Sequence, residues 1–414
     1  MSDIMRTKEY FLKMIAAILC EQSIPLCPED VDSSQLCKLA SKNAVQGFLY
    51  LAIKNGSVTV PASIEASFKQ VYMTNLMRDV TQSDERENIR KRFSDESIDF
   101  MFLKGSHLKE LYPAPEIRYM VDMDVLVHEK DLKKGQEILL SQGFEQIMNN
   151  GKDIVFAHRP FLTIELHQML FVEEYFMHDY FTDTWKRAEK VSKHEYKMST
   201  NDLYVYVLAH LAEHYLEAGS CFRPMMDLFL MEKKLSDKLD FTYINQQFER
   251  IGIAGFGKKI RRLCDCMFAG GIYDDDLKTM ENYIVLGAPV KDAEAAAKIA
   301  SSKKSKIARY IEIAFPDYTS MVARYPTLKK VPFLLPFFWI HRIVKLIFTK
   351  DKTASKKRQQ LAETDQNSVE IMREIFNLND LWQDNFHEEL VDENKIVFAS
   401  NKFNLSEHDL NLLG

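Results

Sequence analysis

The sequence predicts an α+β fold, a small mixed β-sheet flanked in the chain by N-terminal and C-terminal helical regions. Three observations predict it. Apolar residues recur at spacings of three and four over most of the first 95 residues, as amphipathic helices require. At Ile98 this texture breaks into short apolar runs separated by Gly and Pro. Helical spacing returns at Thr200 and continues to about residue 310. At 414 residues the chain exceeds one ordinary domain. We expect a helical region at 1–95, an α/β core at 96–198, a helical domain at 199–348, and a linker with a mixed C-terminal segment at 349–414.

Taken in order, "TKEYFLKMIAAILCEQ" is the first helix, and Lys13 interrupts its apolar stretch, which argues against a secretory signal. "SSQLCKLASKNAVQGFLYLAIKNG" follows as one helix, starting at Ser33 and stopped by Asn55-Gly56. "PASIEASFKQVYMTNLMRDVTQSDERENIRKRFSDES" is the third. "IDFMFLKG" has a strand's length. A Gly-Ser turn and the short helix "SHLKELY", stopped by Pro113 and Pro115, come next. "VDMDVLV" (121–127) is a second strand, and "KDLKKGQEILLSQGF" a helix ending near Gly143. "DIVFAHR" and "FLTIELHQMLF" are strands joined by a turn near Pro160. "STNDLYVYVLAHLAEHYLEAG" and "RPMMDLFLMEKKL" resume the helices. The polar stretch 349–370 reads as a loop or linker, and the last 45 residues are weakly patterned.

Composition narrows the function classes. Hydrophobic residues at 46% and charged residues at 28% are an ordinary globular composition. A net charge of −6 argues against nucleic-acid binding by the whole surface, while leaving room for a local basic cleft. None of the six cysteines forms a CxxC pair, and Cys264-Asp-Cys266 is too tight for zinc, so we expect reduced thiols in a cytoplasmic protein. No apolar run reaches the roughly 20 residues of a spanning helix. The nearest, "VPFLLPFFWIHRIVKLIF" (331–348), is broken by two prolines and by His341, Arg342 and Lys345. It is a core helix or, with the basic run after it, a peripheral contact with an anionic membrane surface.

Asp122 and Asp124 sit in the strand 121–127. Alternation sends Val121, Met123, Val125 and Val127 to one face and Asp122, Asp124 and Leu126 to the other. Two carboxylates then stand side by side, ~7 Å apart at the backbone. Like charges so close repel, and a hard cation such as Mg²⁺ removes the conflict. In "LTIELHQ", Glu165 and His167 share the polar face of another strand. The Gly105-Ser106 turn, between a strand and a helix, can offer N–H groups and a hydroxyl to phosphates. His210 and His214 lie i, i+4 on a predicted helix, but "HLAEH" displaces the glutamate of HExxH, so we favour packing or lining a cleft over zinc. Arg223 and Asp227 have the spacing of a helix ion pair.

"FLKGSHLKELYPAPEIRYMVDMDVLV" resembles the signature segment of the uncharacterised nucleotidyltransferase family of bacteria, within the DNA polymerase β-like nucleotidyltransferase superfamily. Lys104, Gly105, Ser106, Tyr112, Pro113, Arg118, Asp122 and Asp124 carry the resemblance. "IELHQML" resembles the family's third-acid strand, and "HLAEH…FRPMMDL" its helical segment. The resemblance implies a polymerase β-like core with Asp122, Asp124 and Glu165 as catalytic and metal-binding acids for Mg²⁺ (or Mn²⁺). It implies that Lys104, Gly105, Ser106 and Arg118 bind the triphosphate, and that His167, His210, His214, Arg223 and Asp227 line the cleft. The implied reaction moves an NMP from an NTP, ATP first, to a hydroxyl of a small molecule, protein or RNA, with release of pyrophosphate. Glu165 stands where the superfamily commonly has Asp, and this motivates the alternative: a catalytically degenerate nucleotide-binding module acting as a regulatory or antitoxin-like partner.

Overall fold

The computed structural model describes residues 3–300 apart from 150, 159, 174, 220, 291 and 292, and beyond them 315, 318, 321–322, 325–348 and 366–378. The chain divides into two compact units, Met1–Tyr215 with Gly219–Gly287, and Leu216–Ala218 with Ala288–Gly414. The fold is α+β.

Unit one begins with α1 (Asp3–Leu19), α2 (Ser33–Lys42), α3 (Gln46–Lys54) and the long α4 (Ala62–Asp95). The single helix expected over 33–55 is therefore two. The Asn43 side chain donates to the carbonyls of Leu39 and Val285, and Ala44 turns left-handed at φ 55°, which ends α2. Asp32 caps α2 by accepting from the Ser34 and Gln35 amides. Gly56, at φ 82°, follows the end of α3, as Asn55-Gly56 predicts.

Among the described residues seven strands form one mixed sheet: β1 (Phe100–Phe102), β2 (Met123–Val127), β3 (Glu145–Asn149), β4 (Asp153–His158), β5 (Leu162–His167), β6 (Glu189–Lys190) and β7 (Glu195–Lys197). Their order is β3-β4-β5-β2-β1-β7-β6. The β2–β5 and β1–β7 pairs are parallel and the others antiparallel. One face carries Phe100, Phe102, Met123, Val125, Val127, Ile154, Phe156, Ile164 and Leu166. It packs against Ile89 and Phe93 of α4 and Leu139 of α6 (Glu129–Ser141). Burying each such side chain contributes about 1.5–3 kcal/mol, so this face fixes the strand register. Val121 does not belong to it: the strand begins at Met123, and Val121 is 40% exposed.

Beyond the sheet, α7 (His178–Thr182) and α8 (Thr184–Arg187) precede the strands β6 and β7. Then come α9 (Thr200–Leu216), α10 (Phe222–Lys234), α11 (Phe241–Ile251), α12 (Ala254–Phe268) and α13 (Asp275–Leu286). A buried ion pair from Lys8 of α1 to Glu281 of α13 joins the two ends of this unit.

In unit two, Ala293–Ala300 packs against Gln366–Asn377, and Ala296, Ala297 and Ala300 of the first helix and Met372, Ile375 and Phe376 of the second are buried. Residues 366–370, expected in a linker, are thus the first turn of a helix. Its apolar residues have a partner to cover them, so the polar composition upstream does not decide its conformation. Residues 301–310 and 349–365 lie outside the described residues. The segment 331–348 forms a short turn, Pro332–Leu334, and the helix Leu335–Phe348. Phe333, Phe337 and Ile340 are exposed, whereas Phe338 and Trp339 pack against Met321, Val322 and Leu328. Among the described residues no helix is long and apolar enough to cross a membrane.

Candidate active site

Because the apolar residues of β2, β4 and β5 claim one face of the sheet, alternation delivers Asp124, Asp153, Glu165 and His167 to the other. Parallel pairing sets Asp124 directly beside Glu165. Antiparallel pairing sets Asp153 opposite His167. His167 Nε2 lies 3.0 Å from Asp124 Oδ1 and 3.5 Å from Glu165 Oε2, and its Nδ1 lies 3.7 Å from Asp153 Oδ2. His167 is buried, and Glu165 is the more open of the two carboxylates at its Nε2, with its side chain 27% exposed. One ligand atom each from Asp124, Glu165 and His167 lies within 4.8 Å of the others. Two carboxylate oxygens and an imidazole nitrogen at that spacing fit a divalent cation.

The electrostatics follow from this crowding. Burial opposes ionisation of Asp124, but Lys104, His167 and Arg223 outweigh it and hold its carboxyl well below the usual range. Burial, then the charges of Asp124 and Glu165, push Asp122 up to about 6. Burial alone would lower His167; its hydrogen bonds to Asp124 and Glu165 prevail and raise it to about 9. Asp122 precedes the strand and is not among the three clustered ligands, although the sequence grouped it with Asp124 and Glu165.

The turn before this cluster is built under strain. Lys104 takes φ 28°, a backbone region that non-glycine residues rarely occupy. Its ammonium stands 5.2 Å from the centre of the Tyr206 ring and interacts with Asp124 and Asp122. Gly105 then opens α5 (Gly105–Leu108). A Cβ here would overlap the Met120 sulfur and come within 2.8 Å of Arg118 Nη1. Gly105→Ala is therefore expected to cost about 1–3 kcal/mol, measured by urea unfolding; a change within experimental error would show that the turn can yield. Ser106 is buried, and its carbonyl accepts from Arg86 at 2.8 Å. Burial, then Arg86, push the neighbouring His107 down to about 4. A histidine lowered in this way stabilises the fold above its unfolded value of about 6.5, and that stability is lost as pH falls through about 4. Wild type should thus lose stability relative to His107→Gln across that window, and parallel pH–stability curves would refute the assignment.

Arg118, expected at the triphosphate, is buried, and its fork is occupied. Nε and Nη2 donate to Asp227 at 2.8 and 2.7 Å, and the Tyr112 hydroxyl donates to the same carboxylate at 2.8 Å. Asp227, expected to line the cleft and to pair with Arg223, is the other half of this clamp. Arg223 donates instead to the Tyr119 carbonyl at 2.9 Å. From the opposite side, Gln82 of α4 donates to the Met120 and Val121 carbonyls. The stretch entering Asp122 is thus fixed by α10 and α4 together.

Successive turns of α9 bring Tyr206, His210, Glu213 and His214 towards the same charges. The His210 and His214 rings meet edge-on at 4.3 Å. Burial and then Lys104 lower both, His210 well below its usual value and His214 to about 4. Glu213 Oε1 lies 3.4 Å from Lys152 Nζ. Sequence reasoning missed Asp153, Lys152, Tyr206 and Glu213. The signal for Asp153 was present: it begins "DIVFAH", in phase with the polar face of that strand. Lys152 directly precedes Asp153, and Tyr206 and Glu213 become neighbours of the cluster only through tertiary packing.

Neither a curated protein nor a solved structure matches the chain. The model of a family described as "uncharacterised nucleotidyltransferase" matches residues 29–269, more than half of the sequence and all of the clustered groups above. The chain belongs to this nucleotidyltransferase family, a membership that supports a general nucleotidyl-transfer activity.

Proposed function

We propose that the chain transfers a nucleoside monophosphate from an NTP, with ATP as the first candidate, to a hydroxyl acceptor and releases pyrophosphate. The observation that carries this reading is the meeting of Asp124, Glu165 and His167 on one sheet face within a matching family region. A divalent ion, Mg²⁺ or Mn²⁺, held at these groups would neutralise the carboxylates, acidify the acceptor hydroxyl and offset charge on the leaving pyrophosphate. Asp122, two residues before Asp124, joins Asp124 and Glu165 as the proposed acids. Glu165, the less buried of the carboxylates at His167 Nε2, takes the proton of the acceptor hydroxyl as the hydroxyl oxygen bonds to the α-phosphorus. The bond from that phosphorus to the β-phosphate oxygen breaks in line. Lys104 and the Gly105-Ser106 turn receive the triphosphate. Arg118 and Asp227 act behind that turn, holding it, and His210, His214 and Arg223 bound the cleft. Catalysis on this plan is positioning and electrostatics.

The test is incubation with each NTP labelled at the α-phosphate, with Mg²⁺ or Mn²⁺ and with candidate small-molecule, protein and RNA acceptors. Label on an acceptor together with released pyrophosphate is the expected result. Free NMP alone would replace transfer by hydrolysis. Nucleotide binding without turnover would select the degenerate, regulatory module that Glu165 motivates.

A further inference from the structure

We propose that His167 is itself a metal ligand, oriented from behind by Asp153, and that it turns the site from a hard, all-oxygen one into one that prefers a first-row transition ion over Mg²⁺. The inference rests on the divalent-ion reading above and deepens it.

Three observations carry it. Nε2 of His167 faces both Asp124 Oδ1 and Glu165 Oε2, at 3.0 and 3.5 Å, so the ring nitrogen and the two carboxylates converge on one point. The opposite ring nitrogen, Nδ1, is buried with no hydrogen-bond partner among the described residues, and a carboxylate oxygen, Asp153 Oδ2, stands 3.7 Å away. Asp153 is itself buried, and strand pairing sets it opposite His167. A carboxylate behind an imidazole, with the other nitrogen facing a cluster of acids, is the usual arrangement of a metal-binding histidine. The carboxylate fixes the tautomer and orients the ring.

The donor set then decides the ion. Mg²⁺ favours oxygen ligands and keeps much of its water. An imidazole nitrogen adds little for Mg²⁺ but favours Mn²⁺, Fe²⁺, Co²⁺ or Zn²⁺, increasingly along the first-row series. The sequence offered Asp122, Asp124 and Glu165, all oxygen donors. The structure gathers Asp124, Glu165 and His167 instead.

The experiment uses the full chain and metal ions alone. Pulsed EPR of the Mn²⁺-loaded protein should show coupling to one imidazole nitrogen, lost in His167→Asn. Calorimetric titration with Co²⁺ and with Mg²⁺ should show His167→Asn weakening Co²⁺ much more than Mg²⁺. Asp153→Asn should weaken Co²⁺ by about 10–100-fold while the nitrogen coupling persists. Stoichiometric Mn²⁺ without nitrogen coupling in wild type would overturn the proposal, and this measurement needs no variant to fold. Equal losses for Co²⁺ and Mg²⁺ in a folded His167→Asn would overturn it too. Failure of any divalent ion to bind would sink the metal reading of the whole site as well, which separates the two failures.

Discussion

Asp227→Ala should lower the unfolding free energy of unit one by about 3–5 kcal/mol, because it strands a buried guanidinium and the Tyr112 hydroxyl together. Both members of the Arg118–Asp227 pair have side chains only 4% exposed, so water cannot replace the lost partner. Urea unfolding followed by circular dichroism gives the value directly. At about 2.1 cal/mol/K of unfolding entropy per residue, the melting temperature of a unit of this size should fall by roughly 5–8 °C. The double variant Arg118→Met/Asp227→Leu should cost less than the sum of its singles, since it leaves no unpaired charge. A loss below ~1 kcal/mol for Asp227→Ala would mean that the pair is solvated in solution and that Arg118 is free for a nucleotide after all.

Asp124→Asn should reduce nucleotidyl transfer by at least about 10²–10³-fold, the scale of removing one group that stabilises transition-state charge. Asp124 is the residue on which the site converges. It faces Glu165 across the strand pair, accepts from His167, and is drawn below the usual carboxyl range by Lys104, His167 and Arg223. Asparagine keeps the shape but removes the charge and one ligand oxygen. The α-labelled NTP assay reads the rate, and circular dichroism verifies that the variant is folded. Turnover within tenfold of wild type would remove Asp124 from the chemistry.

What the sequence revealed, and what it hid, divides along a physical line. The polar face of β2 and β5 was legible because alternation is a local rule, and Met123, Val125, Ile164 and Leu166 obey it. The turn at Lys104–Ser106 was legible because glycine follows an apolar run. Strand β3 was not, since all five of its residues are exposed and "EQIMN" carries no two-residue periodicity. Strands β6 and β7 are too short to imprint a pattern. The break between α2 and α3 depends on Asn43 reaching the Val285 carbonyl, a partner no local window contains. Arg118 was expected at the triphosphate because the family resemblance implies it. Only the return of α10, which brings Asp227 beside it, shows where the guanidinium is engaged.

The parallel pairing of β2 with β5 has a consequence for how the chain reaches its native state. A parallel pair cannot close through a tight turn, so α6, β3 and β4 must be traversed before Asp124 meets His167, 43 positions later. Arg118 waits longer still, for a partner 109 positions away. Contacts of such sequence separation carry a loop-closure cost before they return any stability, and they form slowly. In a refolding experiment the helical signal should therefore lead, with the acid cluster among the last features to assemble. A chain released early from synthesis would already hold much of its secondary structure while still lacking its chemistry.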